Sequence, residues 1–314
     1  MAAVGVLAPA KVNLYLHIVG RRADNYHLLD SLVAFADIGD RVEGWQADLL
    51  SLTVGGPEAG ALADLGDDNL VLRAARLYIE AARDACAPNA DVASARGAAL
   101  FLDKRLPMAS GIGGGSSDAA ATLRLLDHLC GGALAPARLA ALAARLGADV
   151  PACLLARPVW VGGVGESLEP AENLPACGIV LANPRIALPT PAVFRARTGK
   201  FSGPGRFAAM PREAAGLAAA LAIRRNDLTE AALSLVPEIA GVLDQLAGLP
   251  GALLARMSGS GATCFVLFAD RAAALAAHAA LQRVQPEWWS AAGTLLTRPP
   301  PVEALFQPGR ISAG

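Results

Sequence analysis

The stretch PMASGIGGGSSD, from Pro107 to Asp118, decides how this 314-residue chain is read. Gly113 to Ser117 are five consecutive small residues, and they run directly into AAATLRLLDHL. Gly97 to Leu102, just upstream, has the composition of a strand. The pattern is a strand, a glycine loop and a helix N-terminus. The first backbone N–H groups of a helix have no partner within it and carry partial positive charge, so they suit phosphate. Glycines let the backbone approach an anion closely, and Ser116 and Ser117 add hydroxyls that can donate or hold Mg²⁺. The sequence G-x-x-x-x-G-K-[ST] is absent, so this is not a Walker loop, and G-x-G-x-x-G does not match cleanly. A tight turn is the plainer alternative, although turns seldom need so many glycines.

Four further segments carry unusual residues. In PAKVNL (Pro9 to Leu14) a lysine sits in an apolar strand, either reaching solvent at the strand end or facing a reacting hydroxyl or phosphate. In RADNYH (Arg22 to His27) Tyr26 and His27 stand side by side, suited to a flat heterocycle or to an ordinary turn. In LGADVP (Leu146 to Pro151) Asp149 falls at an expected helix start, where an N-cap role alone would explain it. MSGSGA (Met257 to Ala262) reads as a backbone clamp near ligand, or as a bulge or tight turn.

Bulk properties narrow the classes. Net charge is −1, which gives no basic field for nucleic acid. The hydrophobic fraction is 54%, much of it alanine, with no apolar run of the roughly 18 residues that span a bilayer. No secretory signal opens the sequence, so a cytoplasmic protein is expected. Cys86, Cys130, Cys153, Cys177 and Cys264 are widely spaced without a CxxC pair, which argues against a disulfide framework or zinc site. Only Lys11, Lys104 and Lys200 are lysines among 27 basic residues. A lysine kept against that bias marks a place for a compact ammonium, which singles out Lys11 and Lys104.

Periodicity predicts strands over 11–19, 27–35, 40–45, 49–54 and 97–102, and helices over 69–85, 116–129 and 136–146. Strands over 159–163 and 178–182 follow, then a Gly/Pro-rich stretch, 198–212, that reads as a mobile loop. The last third alternates helix (227–235, 237–247, 271–283) with strand (252–257, 262–268, 293–297). The expected division is 1–165, 166–298 and an irregular tail, 299–314.

Taken in order, PAKVNL, the glycine loop, GADVP and SGSGA resemble the GHMP kinase superfamily. The resemblance spans about residues 8–269. The narrower match, on RRADNYH, DNL (Asp68 to Leu70), GADVP, ALPTPAVF (Ala187 to Phe194) and RNDL (Arg225 to Leu228), is to its non-mevalonate isoprenoid branch. It implies an α+β, two-domain fold with the active site in the cleft between the domains. It implies ATP and Mg²⁺ as cofactors, and γ-phosphoryl transfer to the 2-hydroxyl of the small molecule 4-diphosphocytidyl-2-C-methyl-D-erythritol. No nucleic acid or membrane partner is implied, and either a monomer or a homodimer is compatible.

By this resemblance Asp149 is the general base and Lys11 its electrostatic partner. Pro107, Met108, Ala109, Ser110, Gly111, Ile112, Gly113, Gly114, Gly115, Ser116 and Ser117 wrap the triphosphate, with Asn69 and Lys104 on the adenosine side. Tyr26 and Phe194 sandwich cytosine, His27 reads its edge, and Asn13 and Thr190 complete the acceptor side. Ser117 is the candidate metal ligand. Two positions depart from the family pattern, Met108-Ala109-Ser110 in the loop and Asn25, where the family often has Gly and where Asn tolerates positive φ. The alternatives are another GHMP kinase, of homoserine or mevalonate type, and a catalytically silent nucleotide sensor. Retention of both Lys11 and Asp149 argues against the silent one.

Overall fold

The computed structural model describes residues 3–62, 66–85 and 97–305. Strand β1 (Ala3–Arg21) and strand β2 (His27–Ala47) form one long antiparallel hairpin. Both are longer than the alternation predicts, because buried small and branched residues continue the pattern on either side. The hairpin closes through Asn25, which takes a positive φ of 71°, a conformation that asparagine tolerates. The register slips between Pro9 and Lys11 and again between Asn13 and Tyr15. Such slips locally bend a strand and re-aim its side chains, and these two bracket Lys11 to Asn13.

Strands β3 (Ser51–Gly55), β4 (Gly97–Asp103), β5 (Val159–Gly163) and β6 (Ser167–Pro170) extend that hairpin. The strand order is β11-β1-β2-β4-β3, with β11 (Val302–Leu305) at the edge, β5 on the far stretch of β2 and β6 beyond it. Helices α1 (Leu70–Ala85), α2 (Gly114–Leu129), α3 (Pro136–Leu146) and α4 (Val150–Leu155) cover one face. Val6, Phe35, Val42, Leu100 and Leu102 from the strands meet Tyr78, Leu123 and Leu142 from the helices in one buried cluster. Fully burying side chains of this size stabilises by roughly 1.5–3 kcal/mol each. The helix predicted from Ser116 begins at Gly114, because Gly113 adopts φ +65° and stands just outside the first turn.

The second sheet has the order β10-β7-β9-β8, from β7 (Gly178–Asn183), β8 (Leu254–Met257), β9 (Cys264–Phe268) and β10 (Trp289–Thr294). Helices α5 (Thr190–Ala196), α6 (Ala214–Ala222), α7 (Thr229–Leu235), α8 (Glu238–Ala247) and α9 (Arg271–Val284) accompany it. Val12, Leu14, Leu32, Leu106 and Ile112 share a buried cluster with Ile179, Leu181, Phe265 and Leu267, so the β1–β2 hairpin is the wall that joins the two sheets.

Three expectations are corrected. The division at 165/166 cuts the β5–β6 hairpin, whose strands pair Val159 with Pro170 and Gly162 with Ser167; the change of sheet falls between Pro170 and Gly178. The tail from 299 is not wholly irregular: β11 (Val302–Leu305) pairs with Ala3 to Val6 of β1, and 306–314 lie outside the described residues, as does Cys86. The stretch 198–212 is fastened rather than loose. Ser202 N donates to Ile18 O (2.9 Å), Gly205 N donates to the Asp30 carboxylate (3.0 Å), and the Arg224 guanidinium lies 4.4 Å from the Phe207 ring centre. Glycine and proline content signalled lack of regular structure but not lack of partners.

Candidate active site

Between the sheets lies a cavity of about 680 Å³, within the range of small-molecule sites. One wall is the glycine loop, residues 107–111 and 113–116; the other brings Asn13, Ser31, Thr190 and Phe194. Lys11 and Asp149 lie on the lining with Lys11 Nζ 2.7 Å from Asp149 Oδ1. The lysine side chain is 9% exposed and the aspartate 49%. Asp149 does stand at the N-cap of α4, but its carboxylate makes no cap bond, so the purely capping alternative is not realised.

Lys11 is aimed by its strand. Its N–H donates to Ile112 O at 2.9 Å, which ties β1 to the glycine loop. Its stem passes Gly113 so closely that a Cβ there would stand 3.3 Å from Lys11 Cβ. Glycine at 113 therefore serves both the helix start and the lysine's path.

The glycine loop is held by the MSGSGA turn between β8 and β9. Thr263 N donates to Ser110 O (3.1 Å), and the Ser258 hydroxyl donates to Gly111 O (3.2 Å). A Cβ on Gly111 would come within 2.6 Å of Ser258 O, and one on Gly259 within 2.7 Å of Gly111 O. Asn226, from RNDL, braces the turn by donating to Met257 O (2.9 Å) and Gly259 O (2.7 Å). The sequence singles out neither Asn226 nor Ser258 individually. RNDL and MSGSGA were the only signals for them.

Among the loop residues expected around the triphosphate, Ile112 and Ser117 turn away from the cavity. Ile112 is fully buried in the inter-sheet core, and its carbonyl is taken by Lys11. The Ser117 hydroxyl donates to Pro9 O (2.7 Å) and lies 3.3 Å from Cys153 Sγ, which corrects its assignment as a metal ligand. Asn69 lines the cavity but its Oδ1 accepts from Val71 N (2.9 Å) and caps α1.

Lys104 is on the lining yet 2% exposed, and its ammonium lies 2.5 Å from Asp40 Oδ2 and 2.8 Å from Asp118 Oδ2. Asp40 Oδ1 also accepts from Arg105 N and Leu106 N, whereas buried Asp118 Oδ1 has no partner. Burial pushes the Asp118 carboxyl up, and Lys104 opposes that only in part. Lys104 therefore first pins the loop from behind. Asp40 carried no sequence signal, since its partner is 64 residues away.

Of the residues expected to hold the acceptor, Phe194 lines the cavity and its ring lies 5.3 Å from that of His27, centroid to centroid, whereas His27 itself and Tyr26, 64% exposed, are off the lining. Burial, then Arg21 and Arg197, lower the His27 pKa. A neutral imidazole offers one donor and one acceptor. Thr190 Oγ1 and Ser260 Oγ are 2.7 Å apart.

Magnesium is implied for an ATP-dependent kinase, but the residues present do not assemble a ligand set for it. The Ser117 hydroxyl is given to Pro9 O and Asp118 Oδ2 to Lys104, which leaves only the buried Asp118 Oδ1 without a partner. Among the described residues no group of three His, Cys, Asp or Glu side chains is placed to hold a metal.

The chain matches the GHMP kinases N terminal domain over residues 69–157 and the GHMP kinases C terminal domain over 208–287. It is 51% identical to a 4-diphosphocytidyl-2-C-methyl-D-erythritol kinase of Paramagnetospirillum magneticum, across 95% of this chain and 100% of the relative. It is 50% identical to one of Rhodospirillum rubrum, across 92% and 91%. A crystal structure of a 4-(cytidine 5'-diphospho)-2C-methyl-D-erythritol kinase superposes with TM-score 0.72 at 38% identity, covering 93% of this chain and 98% of the other. A homoserine kinase of Cytophaga hutchinsonii superposes at 0.70 with 18% identity, a likeness of fold alone.

Proposed function

This chain belongs to the GHMP kinases, in their 4-diphosphocytidyl-2-C-methyl-D-erythritol kinase branch, and on that premise we propose how its own residues carry the transfer. The reaction moves the γ-phosphoryl of ATP to the 2-hydroxyl of 4-diphosphocytidyl-2-C-methyl-D-erythritol, in the non-mevalonate route to isoprenoid precursors. The Lys11–Asp149 pair on the lining of a two-walled cavity is the observation that carries the proposal.

Asp149 accepts the proton of the 2-hydroxyl as that oxygen bonds to the γ-phosphorus. The bond from that phosphorus to the β–γ bridging oxygen breaks, and ADP leaves. Lys11 fixes the carboxylate by its 2.7 Å contact and places a positive charge where charge redistributes in the transition state. The glycine loop and the start of α2 present N–H groups to the triphosphate. Lys104 acts from behind that loop on the nucleotide side, and Asn69 at the start of α1 borders the adenosine.

His27 and Phe194 receive the cytosine, and Tyr26 closes on it from the exposed side. Asn13 and Thr190 face the methylerythritol and diphosphate. Cytoplasmic ATP would supply the donor; among the described residues no helix is long and apolar enough to cross a membrane.

ADP release, coupled to a reporter enzyme, tests the reading with the cytidylyl acceptor against mevalonate and homoserine. Turnover confined to the cytidylyl acceptor is expected. No turnover with it sinks the proposal.

A further inference from the structure

Ser31 lies on β2 beside the catalytic strand, and its hydroxyl has one proton to give. That proton goes to Tyr15 O, a carbonyl that can only accept, at 2.5 Å. Toward its other neighbour, the Asn13 amide at 2.9 Å, Ser31 Oγ is therefore left as an acceptor. Asn13 must meet it with Nδ2. The amide's oxygen and nitrogen are thereby assigned by hydrogen-bond logic rather than by the placement of two similar atoms. The backbone of Asn13 is fixed as well, since its N–H donates to Ser258 Oγ at 3.2 Å.

The consequence falls on Asn13 Oδ1, which is buried and has no hydrogen-bond partner. Asn13 and Ser31 both line the cavity, and Asn13 stands two residues beyond Lys11, on the same face of the strand. Gly259 packs beside it: a Cβ there would stand 3.4 Å from Oδ1, an ordinary contact distance. A buried acceptor with nothing to accept is costly, and a ligand donor removes that cost.

We infer that Ser31 is a positioning residue that locks Asn13 as a hydrogen-bond acceptor, so that the site selects acceptors carrying a free hydroxyl next to the one phosphorylated. This rests on the proposed function and deepens it. In 4-diphosphocytidyl-2-C-methyl-D-erythritol the reacting 2-hydroxyl is flanked by hydroxyls on C1 and C3, and one of these is the donor. Without Ser31 the amide is free to turn and present Nδ2, a donor facing a donor.

The test compares the parent acceptor with its 1-deoxy and 3-deoxy analogues. Wild-type protein is expected to lose roughly 10–100-fold in kcat/KM on one analogue. Ser31→Ala is expected to lose roughly 10-fold on the parent with KM for ATP unchanged. On the disfavoured analogue the same variant should match wild type, because the hydroxyl it mispositions against is gone. Ser31→Thr, which keeps the hydroxyl, should restore the parent rate. Equal use of the parent and both analogues by wild type overturns the inference without any variant. So does a Ser31→Ala loss that is as large on both analogues as on the parent. Turnover of the parent by wild type separately measures the functional reading, so activity without discrimination sinks the inference alone.

Discussion

The glycine loop and the group Asn13, Ser31 and Phe194, with His27 packed behind Phe194, border the same cavity, yet they are made of different parts. The loop presents backbone N–H groups, and its geometry is set by glycines that another glycine turn touches, Gly111 against Ser258 and Gly259. The acceptor side presents amide, hydroxyl and ring, each oriented by a partner on another strand or helix. A triphosphate is recognised by charge and close approach, which backbone supplies. A cytidylyl polyol is recognised by shape and by which atoms donate, which needs side chains. Lys11 and Asp149 join the two, and their removal should cost more than damage to either wall.

The largest effect is expected for Asp149→Asn. Loss of the proton acceptor should lower kcat roughly 10²–10⁴-fold. ATP affinity, measured by titration with a non-hydrolysable analogue, should hardly change, since Asp149 makes no cap bond whose loss would disturb α4. Collapse of ATP binding would instead give the residue a structural role and erase the distinction between the joint and the wall.

Gly111→Ala should come next. The position combines φ +76° with backbone atoms 2.6–2.7 Å from where the Cβ would go, and backbone cannot swing aside as a side chain can. Displacing the loop by a fraction of an ångström should reduce kcat/KM for ATP by roughly 10–100-fold. KM for the acceptor should rise much less. Equal damage to both would mean that the walls are not independently built.

Phe194→Ala addresses the opposite wall. Loss of one stacking face should raise KM for the acceptor by roughly 3–10-fold, the scale of an aromatic contact. KM for ATP should stay put. A change confined to ATP would remove Phe194 from the acceptor side.

The contrast between the walls also explains what the sequence could reveal. A phosphate cradle made of backbone needs glycine at consecutive positions, so it is written locally and visible in PMASGIGGGSSD. Lys11 and Asp149 were visible because each sat in a compact motif with an odd charge. Ser31 and Asp40 were invisible. Their meaning comes from partners 16, 18 and 64 residues away, brought close by strand pairing that no local pattern specifies. Ser117 misled for the same reason: a hydroxyl at a helix start suits a metal, but Pro9 claims it from a strand far off in sequence. The stretch 198–212 misled because composition reports missing regularity and says nothing of Tyr15, His17 and Asp30 waiting to hold it. The long strand β1 was legible in type but not in extent, since its ends are fixed by β11 and β2 rather than by its own residues.

The smallest effect expected here concerns charge behind the nucleotide wall. Lys104 lies between Asp40 and Asp118, and three charged groups there would leave a net negative charge beneath a cradle for phosphate. Asp40 spends both oxygens on donors, Lys104 Nζ and the backbone N–H groups of Arg105 and Leu106. Asp118 has one oxygen unpartnered, and burial pushes its carboxyl up to about 8. It is the better placed of the two carboxyls to hold a proton, since one of its oxygens has no partner while both Asp40 oxygens do. A carboxyl raised in the folded state holds a proton that the unfolded chain has released above its ordinary value near 4. Its stabilising contribution is then full below about pH 4 and is lost as pH rises through about 8. Urea midpoints measured between about pH 6 and 9 should fall for wild type more than for Asp118→Asn, which mimics the neutral form and cannot titrate. If the two curves run parallel, Asp118 is ionised throughout, and the nucleotide wall tolerates a negative charge behind its phosphates.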